Sequence, residues 1–175
     1  MWGDCKRMSL RFELGDITKC DAEYICHQVN CQGVMGSGVA KAIKDKWPVV
    51  YEEYQEKFKT TQKLVEIASD SKAIKIDELL LGNIQTVLVS TNGKVVINMF
   101  AQQYYGYDGK RYTSYDAFWD CLNKIKNSVP KGTKIAFPAK IGCCRGGANW
   151  QVILTMISEV LESDYNVEIW EYDAG

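Results

Sequence analysis

The sequence has no run that approaches the ~20 consecutive apolar residues needed to span a bilayer. Its first ten residues, MWGDCKRMSL, also lack the apolar centre of a secretory signal peptide. These two absences predict a soluble, cytoplasmic protein that has no membrane partner.

An excess of charge of one sign is absent as well. The 175 residues hold 21 Lys and Arg against 22 Asp and Glu, for a formal net charge of -1, without any long basic run. Nucleic-acid-binding surfaces concentrate Lys and Arg on one face, so this composition argues against a sequence-specific nucleic-acid partner. Any anionic ligand must therefore be held by local groups.

Cysteine spacings typical of metal sites are missing, although the chain has seven cysteines. Cys20, Cys26 and Cys31 form no C-x-x-C motif, and the adjacent Cys143 and Cys144 are poorly placed to chelate one tetrahedral ion. A chain of this length with 46% apolar residues can build its core without cross-links. We therefore expect free thiols, no metal, no cofactor and a single domain over residues 1–175.

The familiar phosphate-binding sequences are also absent. No G-x-x-x-x-G-K-[ST] motif occurs, which removes the best signal for nucleoside triphosphate hydrolysis. The segment GVMGSGVA does not have the G-x-G-x-x-G spacing of a dinucleotide-binding oxidoreductase, so the sequence disfavours that class.

The sequence does contain several strand patterns. MSLRFELGDI alternates Leu10, Phe12 and Leu14 with polar residues, which predicts a half-buried strand. AEYICHQVN, TKIAFPAKIG and NVEIWEY are predicted as further strands. In TVLVSTNGKVVINMF, two β-branched runs flank the dipeptide 92–93, Asn-Gly, which predicts an antiparallel hairpin.

Helical patterns alternate with these strands. Helices are predicted over residues 39–47, where Pro48 ends the pattern and opens another short helix, and in TSYDAFWDCLNKIKNSV and NWQVILTMISEVLES. Residues 60–83 have scattered apolar positions and are predicted as irregular, with a short strand near residues 73–76. The order predicts an α/β fold, a three-layer α/β/α domain with a central mixed sheet.

Three glycine-bearing loops follow predicted strands, where open α/β sheets collect ligands. Glycines and free amides at the helix entrances in residues 30–40 and 141–150 could grip a diphosphate from both sides. Alternatively, the glycines in these two segments only form tight turns between a strand and a helix and bind no ligand. The third loop, AQQYYGYDGKRY, is either an aromatic lid over a ring or a solvated loop with exposed tyrosines.

The second of these loops also carries cations and thiols. Arg145 could neutralise a terminal phosphate bidentately or could be an ordinary surface arginine, and Lys140 has the same two interpretations. Cys143 and Cys144 lack the C-x5-R spacing of cysteine phosphatases, so no covalent cysteine intermediate is expected.

Three ordered segments resemble a known family. GDIT at 15–18, VNCQGVMGSGVAKAI at 29–43 and FPAKIGCCRGGANW at 137–150 are similar to motifs of the macro domain, which binds ADP-ribose. The resemblance covers nearly the whole chain and implies a macro-domain-like fold over residues 1–175. It also implies ADP-ribose, or a derivative of it, as the ligand.

The resemblance implies a role for each matched position. Asp16 would hydrogen-bond the adenine amino group, Asn30 would address the distal ribose, and the two glycine loops would hold the diphosphate. By location, Phe100 or the tyrosines after it would flank the distal ribose, and Tyr172 would border adenine. The implied substrate-binding residues are Asp16, Ile17, Gly36, Ser37, Gly38, Val39, Phe100, Ile141, Gly142, Cys143, Cys144, Arg145, Gly146, Gly147 and Tyr172.

One branch of the family cleaves the terminal phosphate of ADP-ribose 1''-phosphate. HQVNCQGVMGSGVA resembles its small stand-alone members, which implies His27 and Asn30 as catalytic residues. Imidazole could act as general base or acid. Alternatively, His27 is a core histidine, and Asn30 and the loop amides orient the attacking water.

Another branch releases ADP-ribose from protein or nucleic acid through a lysine after the central strand and an aspartate in the second loop. Met99 or Phe100 stands at the lysine position here, and CCRGGANW carries no acid. The resemblance therefore favours a phosphatase acting on ADP-ribose 1''-phosphate. An ADP-ribosyl hydrolase and a non-catalytic reader of ADP-ribose or a related nucleotide are the alternatives.

Overall fold

A computed structural model describes residues 9–68 and 74–173. The strands of this part of the chain are β1 (Leu10–Leu14), β2 (Tyr24–Asn30), β3 (Ile84–Leu88), β4 (Val95–Gln102), β5 (Lys134–Pro138) and β6 (Asn166–Glu171). Its α-helices are α1 (Gly38–Lys46), α2 (Pro48–Ala68), α3 (Ile76–Leu80), α4 (Tyr115–Ser128) and α5 (Trp150–Leu161). A 3-10 turn (Ile17–Lys19) follows β1.

The strands form one mixed sheet in the order β1-β6-β5-β2-β4-β3. Every neighbouring pair is parallel except β3 and β4, which form the predicted antiparallel hairpin. Gly93 in the hairpin turn has a φ of 91°, a conformation that glycine adopts without steric cost. The carboxyl ends of β2, β4 and β5 therefore lie side by side at one edge of the sheet.

Helices cover both faces of the sheet. One core packs α4 and α5 against side chains such as Cys26, Ile97 and Ile135, and the other packs α1, α2 and α3 against Ile25, Val96 and their neighbours. Alternate residues of β2 and β4 thus enter opposite cores, as the pleat of a strand requires. The predicted three-layer α/β/α fold is confirmed.

Helix α2 differs from the prediction, because it runs on to Ala68 instead of ending early. Thr61 is the one buried residue of its second half, and Ile67 is 80% exposed, so this half shows little of the apolar periodicity that reveals a helix. The strand predicted near residues 73–76 is wrong, since Ile76 begins α3. Ala73 lies outside the described residues.

The apolar face predicted for β1 is also only partly buried. Leu10 packs against the α4 and α5 core, whereas Phe12 and Leu14 are exposed. The reason is position, because β1 is an edge strand that pairs with β6 alone. Trp119 in α4, whose helical spacing with Phe118, Leu122 and Ile125 predicts burial, is 39% exposed.

The described residues form neither a membrane-spanning helix nor a cluster of metal-binding side chains. No helix within residues 9–68 and 74–173 is long and apolar enough to cross a membrane. The same residues contain no group of three or more His, Cys, Asp or Glu side chains that could hold a metal ion. Cysteines 20, 26, 31, 121, 143 and 144 are free thiols, as predicted.

Candidate functional site

The site is a cleft of about 380 Å³ at the carboxyl ends of β2 and β5. Its walls are the first loop, defined as residues 31–37 with the start of α1, and the second loop, residues 139–149. Gln102, Tyr105 and Tyr107 line it from the side of β4. The two glycine loops predicted separately therefore face one another across a single cleft.

Helix α1 presents uncapped amides to this cleft. Ser37 is its N-cap residue, but the Ser37 side chain makes no capping hydrogen bond. By contrast, Asn149 caps α5 by accepting from the amides of Gln151 and Val152 at 2.9 and 3.4 Å. Since the first amides of a helix have no partner within it, those of α1 remain available to an anion.

Two glycines on this side of the cleft, Gly36 and Gly38, border open space. A Cβ at Gly38 would have no neighbour within 4 Å, and one at Gly36 would meet only the Val34 side chain at 3.6 Å. Gly38 has a φ of 58°, which disfavours other residues, whereas Gly36 has no such restriction. Nothing in the protein fills the space above these glycines, so a ligand can approach the backbone closely.

Tyr54 and Asn30 hold the first loop in shape. The Tyr54 hydroxyl lies 2.7 Å from the Asn30 carbonyl oxygen and 2.8 Å from Asn30 Oδ1, and it accepts from the Val34 amide at 3.2 Å. Asn30 Oδ1 also accepts from the Gln32 amide at 2.9 Å. Asn30 Nδ2 donates one hydrogen to the Val34 carbonyl, and its second hydrogen is available to a ligand.

The glycines of the second loop have a different environment. A Cβ at Gly146 would overlap Thr113 Oγ1 and the Gly142 carbonyl oxygen, and one at Gly147 would lie 2.6 Å from the Lys110 carbonyl oxygen. The amides of Tyr112 and Thr113 donate to the Gly146 carbonyl at 2.8 and 2.9 Å. These glycines are needed because the loop packs directly against the segment that follows β4.

A polar network under the second loop fixes its position. Gln28 Nε2 donates to Gln102 Oε1 and lies equally close, 2.9 Å, to Thr113 Oγ1, which donates to the Gly142 carbonyl at 2.8 Å. Gln102 Nε2 continues the network to the Tyr104 carbonyl at 2.6 Å. The side chains of Gln28 in β2 and Gln102 in β4 thus hold the second loop in place through Thr113.

The charges at the cleft are positive. Lys140 and Arg145 line it, and the residues that line it include no Asp or Glu within the described part of the chain. The Arg145 guanidinium stacks 4.5 Å from the Tyr107 ring centre and donates to the Tyr107 hydroxyl, which joins the rims of two loops. Burial raises the pKa of Cys143 to about 11, so this thiol is protonated at neutral pH.

His27 is buried at the floor of the cleft. Burial lowers its pKa to about 4, against the opposing effect of a hydrogen bond to Asn98. The ring is therefore neutral at physiological pH and is a weak base. Its Nε2 lies 2.5 Å from Asn98 Oδ1.

Phe100 was expected beside the distal ribose, but its side chain does not line the cleft. Its side chain is fully buried and packs against Tyr54 with ring centres 5.8 Å apart, because its strand position faces the α1 and α2 core. It cannot flank a ligand in this structure. Tyr105 and Tyr107, among the tyrosines that follow it, line the cleft and are 43% and 82% exposed, so the lid over a ring stays a prediction.

Other predicted residues lie outside the cleft lining: Asp16, Ile17, Cys143, Gly147 and Tyr172. Asp16 caps the 3-10 turn, accepting from the Thr18 amide and hydroxyl at 2.9 and 2.8 Å, and this turn packs against α1 and β5. Burial acts to raise the pKa of Asp16, but these hydrogen bonds outweigh it and the pKa is lowered. Ile17 is buried, and Tyr172 is exposed beyond β6.

Sequence reasoning missed the residues that support the loops: Tyr54, Gln28, Gln102 and Thr113. The two glutamines carry a usable signal, because each interrupts an apolar strand pattern near its carboxyl end. Polar residues at such positions border the edge of the sheet where ligands bind. Tyr54 has no comparable signal, since its spacing fits an ordinary core position of a helix.

A mixed sheet with helices on both faces, and with two glycine-bearing loops that face one cleft at the ends of β2 and β5, defines an α/β/α domain with a candidate ligand cleft. Residues 26–157 match the family model of the Macro domain, and the chain therefore belongs to the macro domain family.

Known proteins similar to this chain include a DNA ADP-ribosyl glycohydrolase of Thermus aquaticus, which is 25% identical over 94% of the chain. The match spans 41% of that relative's length. The solved macrodomain of Thermus aquaticus DarG is 22% identical, with a TM-score of 0.68 over 94% of this chain and 97% of that one. A Bacteroides thetaiotaomicron protein of unknown function is 26% identical, with a TM-score of 0.73 over 94% and 98%.

A further solved structure, Thermosipho africanus DarTG in complex with ADP-ribose, is 18% identical with a TM-score of 0.66. The similarity covers 92% of this chain and 41% of that one. At this level of identity the likeness concerns the fold.

Proposed function

We propose that this chain binds ADP-ribose in the cleft and hydrolyses ADP-ribose 1''-phosphate to ADP-ribose and phosphate. The observation that carries the proposal is that the uncapped amides of α1 face the glycine-bearing second loop across one cleft, whose described lining includes Lys140 and Arg145 and no carboxylate. Helix amides and cations favour phosphate groups, and acidic residues would repel them. Membership of the macro domain family adds support.

In this proposal the ligand follows the edge of the sheet. The diphosphate lies between the α1 amides and the second loop, and the adenine extends toward Asp16, beside α1 and β5. The distal ribose lies at the end of β2, where Asn30 Nδ2 has a hydrogen to donate. The terminal phosphate then comes within reach of the cationic side chain of Arg145 at the rim.

The chemistry fits a site that has cations and amides but no basic carboxylate. Hydrolysis of a phosphate monoester passes through a loose transition state, which depends on charge stabilisation and on a positioned water more than on a strong base. A water attacks phosphorus, the bond from phosphorus to the 1'' oxygen breaks, and one proton of the water ends on that oxygen, so that ADP-ribose and hydrogen phosphate leave. With a pKa of about 4, His27 is poorly suited to removing a proton from this water.

A second candidate is release of ADP-ribose from a macromolecule. The specific observation in its favour is the 25% identity to a DNA ADP-ribosyl glycohydrolase over 94% of the chain. The lack of an acid in the second loop argues against the lysine and aspartate route that the family resemblance suggests for this reaction.

The test of binding is calorimetry with ADP-ribose on the wild type, Gly36→Glu and Gly36→Gln. The two side chains have the same shape, and position 36 has an open environment without a positive φ, so the comparison isolates charge. One carboxylate about 4 Å from a phosphate at intermediate screening costs up to about 4 kcal/mol. We expect Glu to weaken binding at least about tenfold more than Gln. Equal affinities for the two variants would contradict the site.

The test of activity compares two substrates. Phosphate release from ADP-ribose 1''-phosphate that is lost in Gly36→Glu supports the phosphatase. Release of ADP-ribose from ADP-ribosylated DNA or protein, without phosphate release, supports the second candidate. Tight ADP-ribose binding with neither activity would identify a reader and would contradict both enzymatic proposals.

A further inference from the structure

Two side-chain atoms at the floor of the cleft have no hydrogen-bond partner. Among the described residues, the buried side-chain atoms in this condition are His27 Nδ1 and Gln28 Oε1. Both residues line the cleft, but as neighbours on β2 they lie on opposite faces of the sheet: His27 bonds Asn98, and Gln28 lies in the polar network under the second loop. Leaving a buried polar atom unpaired is costly, so its presence at a binding cleft indicates a place for a ligand or water.

The hydrogen bonds behind His27 have a fixed direction. The Glu53 main-chain carbonyl in α2 can only accept, and Gln85 Nε2 donates to it at 2.9 Å. Gln85 therefore turns Oε1 toward Asn98, whose Nδ2 donates to it at 3.1 Å. Asn98 Oδ1 is then the atom that faces His27 Nε2.

This direction determines the tautomer of His27. An amide oxygen accepts and cannot donate, so the hydrogen of the imidazole must lie on Nε2. In a neutral ring the other nitrogen, Nδ1, then keeps its lone pair. Burial keeps the ring neutral, because it lowers the pKa of His27 to about 4.

We propose that Asn98, Gln85 and the Glu53 carbonyl are positioning groups that hold His27 Nδ1 as a fixed acceptor for an O–H donor in the cleft. The identity of the donor rests on the proposed function: it is a hydroxyl of the distal ribose or a water beside it. The cleft then binds different chemical groups of the ligand at different places. The amides of α1 donate to phosphate oxygens, and His27 Nδ1 accepts from a hydroxyl group.

His27 makes this proposal directly measurable, since it is the single histidine of the chain. Nitrogen NMR of the free protein labelled with 15N-histidine should show one neutral tautomer, protonated at Nε2, at pH 7. A ring protonated at Nδ1 would overturn the proposal. This measurement needs no ligand, so it stands even if ADP-ribose 1''-phosphate is not a substrate.

A matched pair of variants tests the relay. Gln85 is half-buried on the edge strand β3, where substitution is tolerated better than in the core. Gln85→Glu keeps an oxygen for Asn98 Nδ2 and should retain the single tautomer, whereas Gln85→Leu frees the Asn98 amide to turn over and should give a mixture. Thermal unfolding of both variants confirms that they are folded. An unchanged tautomer in Gln85→Leu would overturn the positioning role.

Two ligands distinguish the sources of the O–H donor. ADP carries the diphosphate without the distal ribose, and ADP-ribose carries both. An Nδ1 resonance that moves upfield with ADP-ribose and not with ADP identifies a ribose hydroxyl. A resonance already upfield in the free protein, and unmoved by either ligand, identifies a bound water. A resonance at the position of an unbonded acceptor in all three states would overturn the proposal, and calorimetry on the same samples shows separately whether the ligands bind.

Discussion

At the scale of single residues, the glycines of the two loops serve different physical purposes. Gly36 and Gly38 in the first loop border open space, whereas Gly146 and Gly147 in the second are enclosed by the segment that follows β4. The sequence shows the same residue type in both places. Only the structure separates a glycine that leaves room for a ligand from one that leaves room for the protein itself.

This difference predicts that alanine substitutions at Gly146 and Gly38 lower the free energy of unfolding by different amounts. Gly146→Ala should lower the free energy of unfolding by about 3 kcal/mol, because its Cβ overlaps Thr113 Oγ1 and a backbone oxygen. Gly38→Ala, which meets no neighbour but has a φ of 58°, should cost about 1 kcal/mol. Urea denaturation of both variants measures the two values. Equal losses would mean that the second loop can move away from Thr113.

The buried His27 predicts a dependence of stability on pH. Its pKa falls from 6.5 to about 4 on folding, mainly through burial, so the unfolded chain binds the proton more tightly. Its stabilising contribution is complete above pH 6.5 and is lost as the pH falls toward 4. The loss from this residue between pH 7 and pH 5 is about 2 kcal/mol.

The control for this prediction is His27→Gln, which cannot titrate in this range. Urea denaturation at pH 7, 6 and 5 should give a flatter pH profile for the variant than for the wild type. Parallel profiles would show that His27 titrates normally in the folded protein.

At the scale of elements, helix α2 reaches across to organise the first loop. Tyr54 from its second turn contacts Asn30 and Val34 through its hydroxyl. Tyr54→Phe should leave these groups without that partner, cost about 1–2 kcal/mol of stability and weaken ADP-ribose binding severalfold. Calorimetry and urea denaturation measure the two effects.

The matched control is Tyr165, whose hydroxyl is also hydrogen-bonded but has no partner in the first loop. It lies 2.9 Å from the Lys126 carbonyl and 2.7 Å from the Val129 carbonyl, at the end of α4. Tyr165→Phe should therefore leave ADP-ribose affinity unchanged. If both variants bind alike, the Tyr54 hydroxyl does not organise the loop.

Elements that bury a regular apolar stripe could be predicted from the sequence, and those without one could not. Helix α5 buries Ile153, Ile157, Val160 and Leu161, and its pattern was sufficient. The second half of α2 buries only Thr61, so its sequence pattern predicted irregular structure although the segment is helical. Periodicity reports burial on one face, and it carries no information where a helix is mostly solvated.

At the scale of the whole molecule, both cores are built on the same strands. Alternate residues of β2 and β4 supply the two faces, so loss of either helical layer would expose apolar side chains of the same two strands. We propose that residues 1–175 behave as a single domain. Unfolding should then be one cooperative transition.

Tryptophans in the two layers make this testable. Trp47 packs on the α1 and α2 side, and Trp150 on the α4 and α5 side. The chain has five tryptophans, so two variants that keep only Trp47 or only Trp150, with the others changed to Phe, report on one layer each. The fluorescence of each should give the same midpoint as the far-UV circular dichroism of the same sample. Different midpoints by the two probes would show that the layers unfold separately.

Binding of ADP-ribose should stabilise the whole domain. At 100 times its dissociation constant, ADP-ribose should raise the free energy of unfolding of the wild type by about 2.7 kcal/mol.

The sequence predicted where the cleft lies but not how its parts are held. The strand-to-helix loops at Gly36 and Gly142 were identifiable because short glycine-rich connections follow apolar strands. The Gln28, Gln102 and Thr113 network joins residues 85 positions apart, and such pairings depend on strand order. Phe100 was misplaced for the same reason, since only the pairing of β4 shows which face it occupies.

The enclosed glycines of the second loop have a practical consequence for protein engineering. Side chains cannot be introduced at Gly146 or Gly147 without displacing backbone, so a mutagenesis library directed there would mostly yield misfolded clones. Position 36 accepts new side chains that project into the cleft. A change of ligand preference is therefore best sought by saturating that position while the opposite wall is left intact.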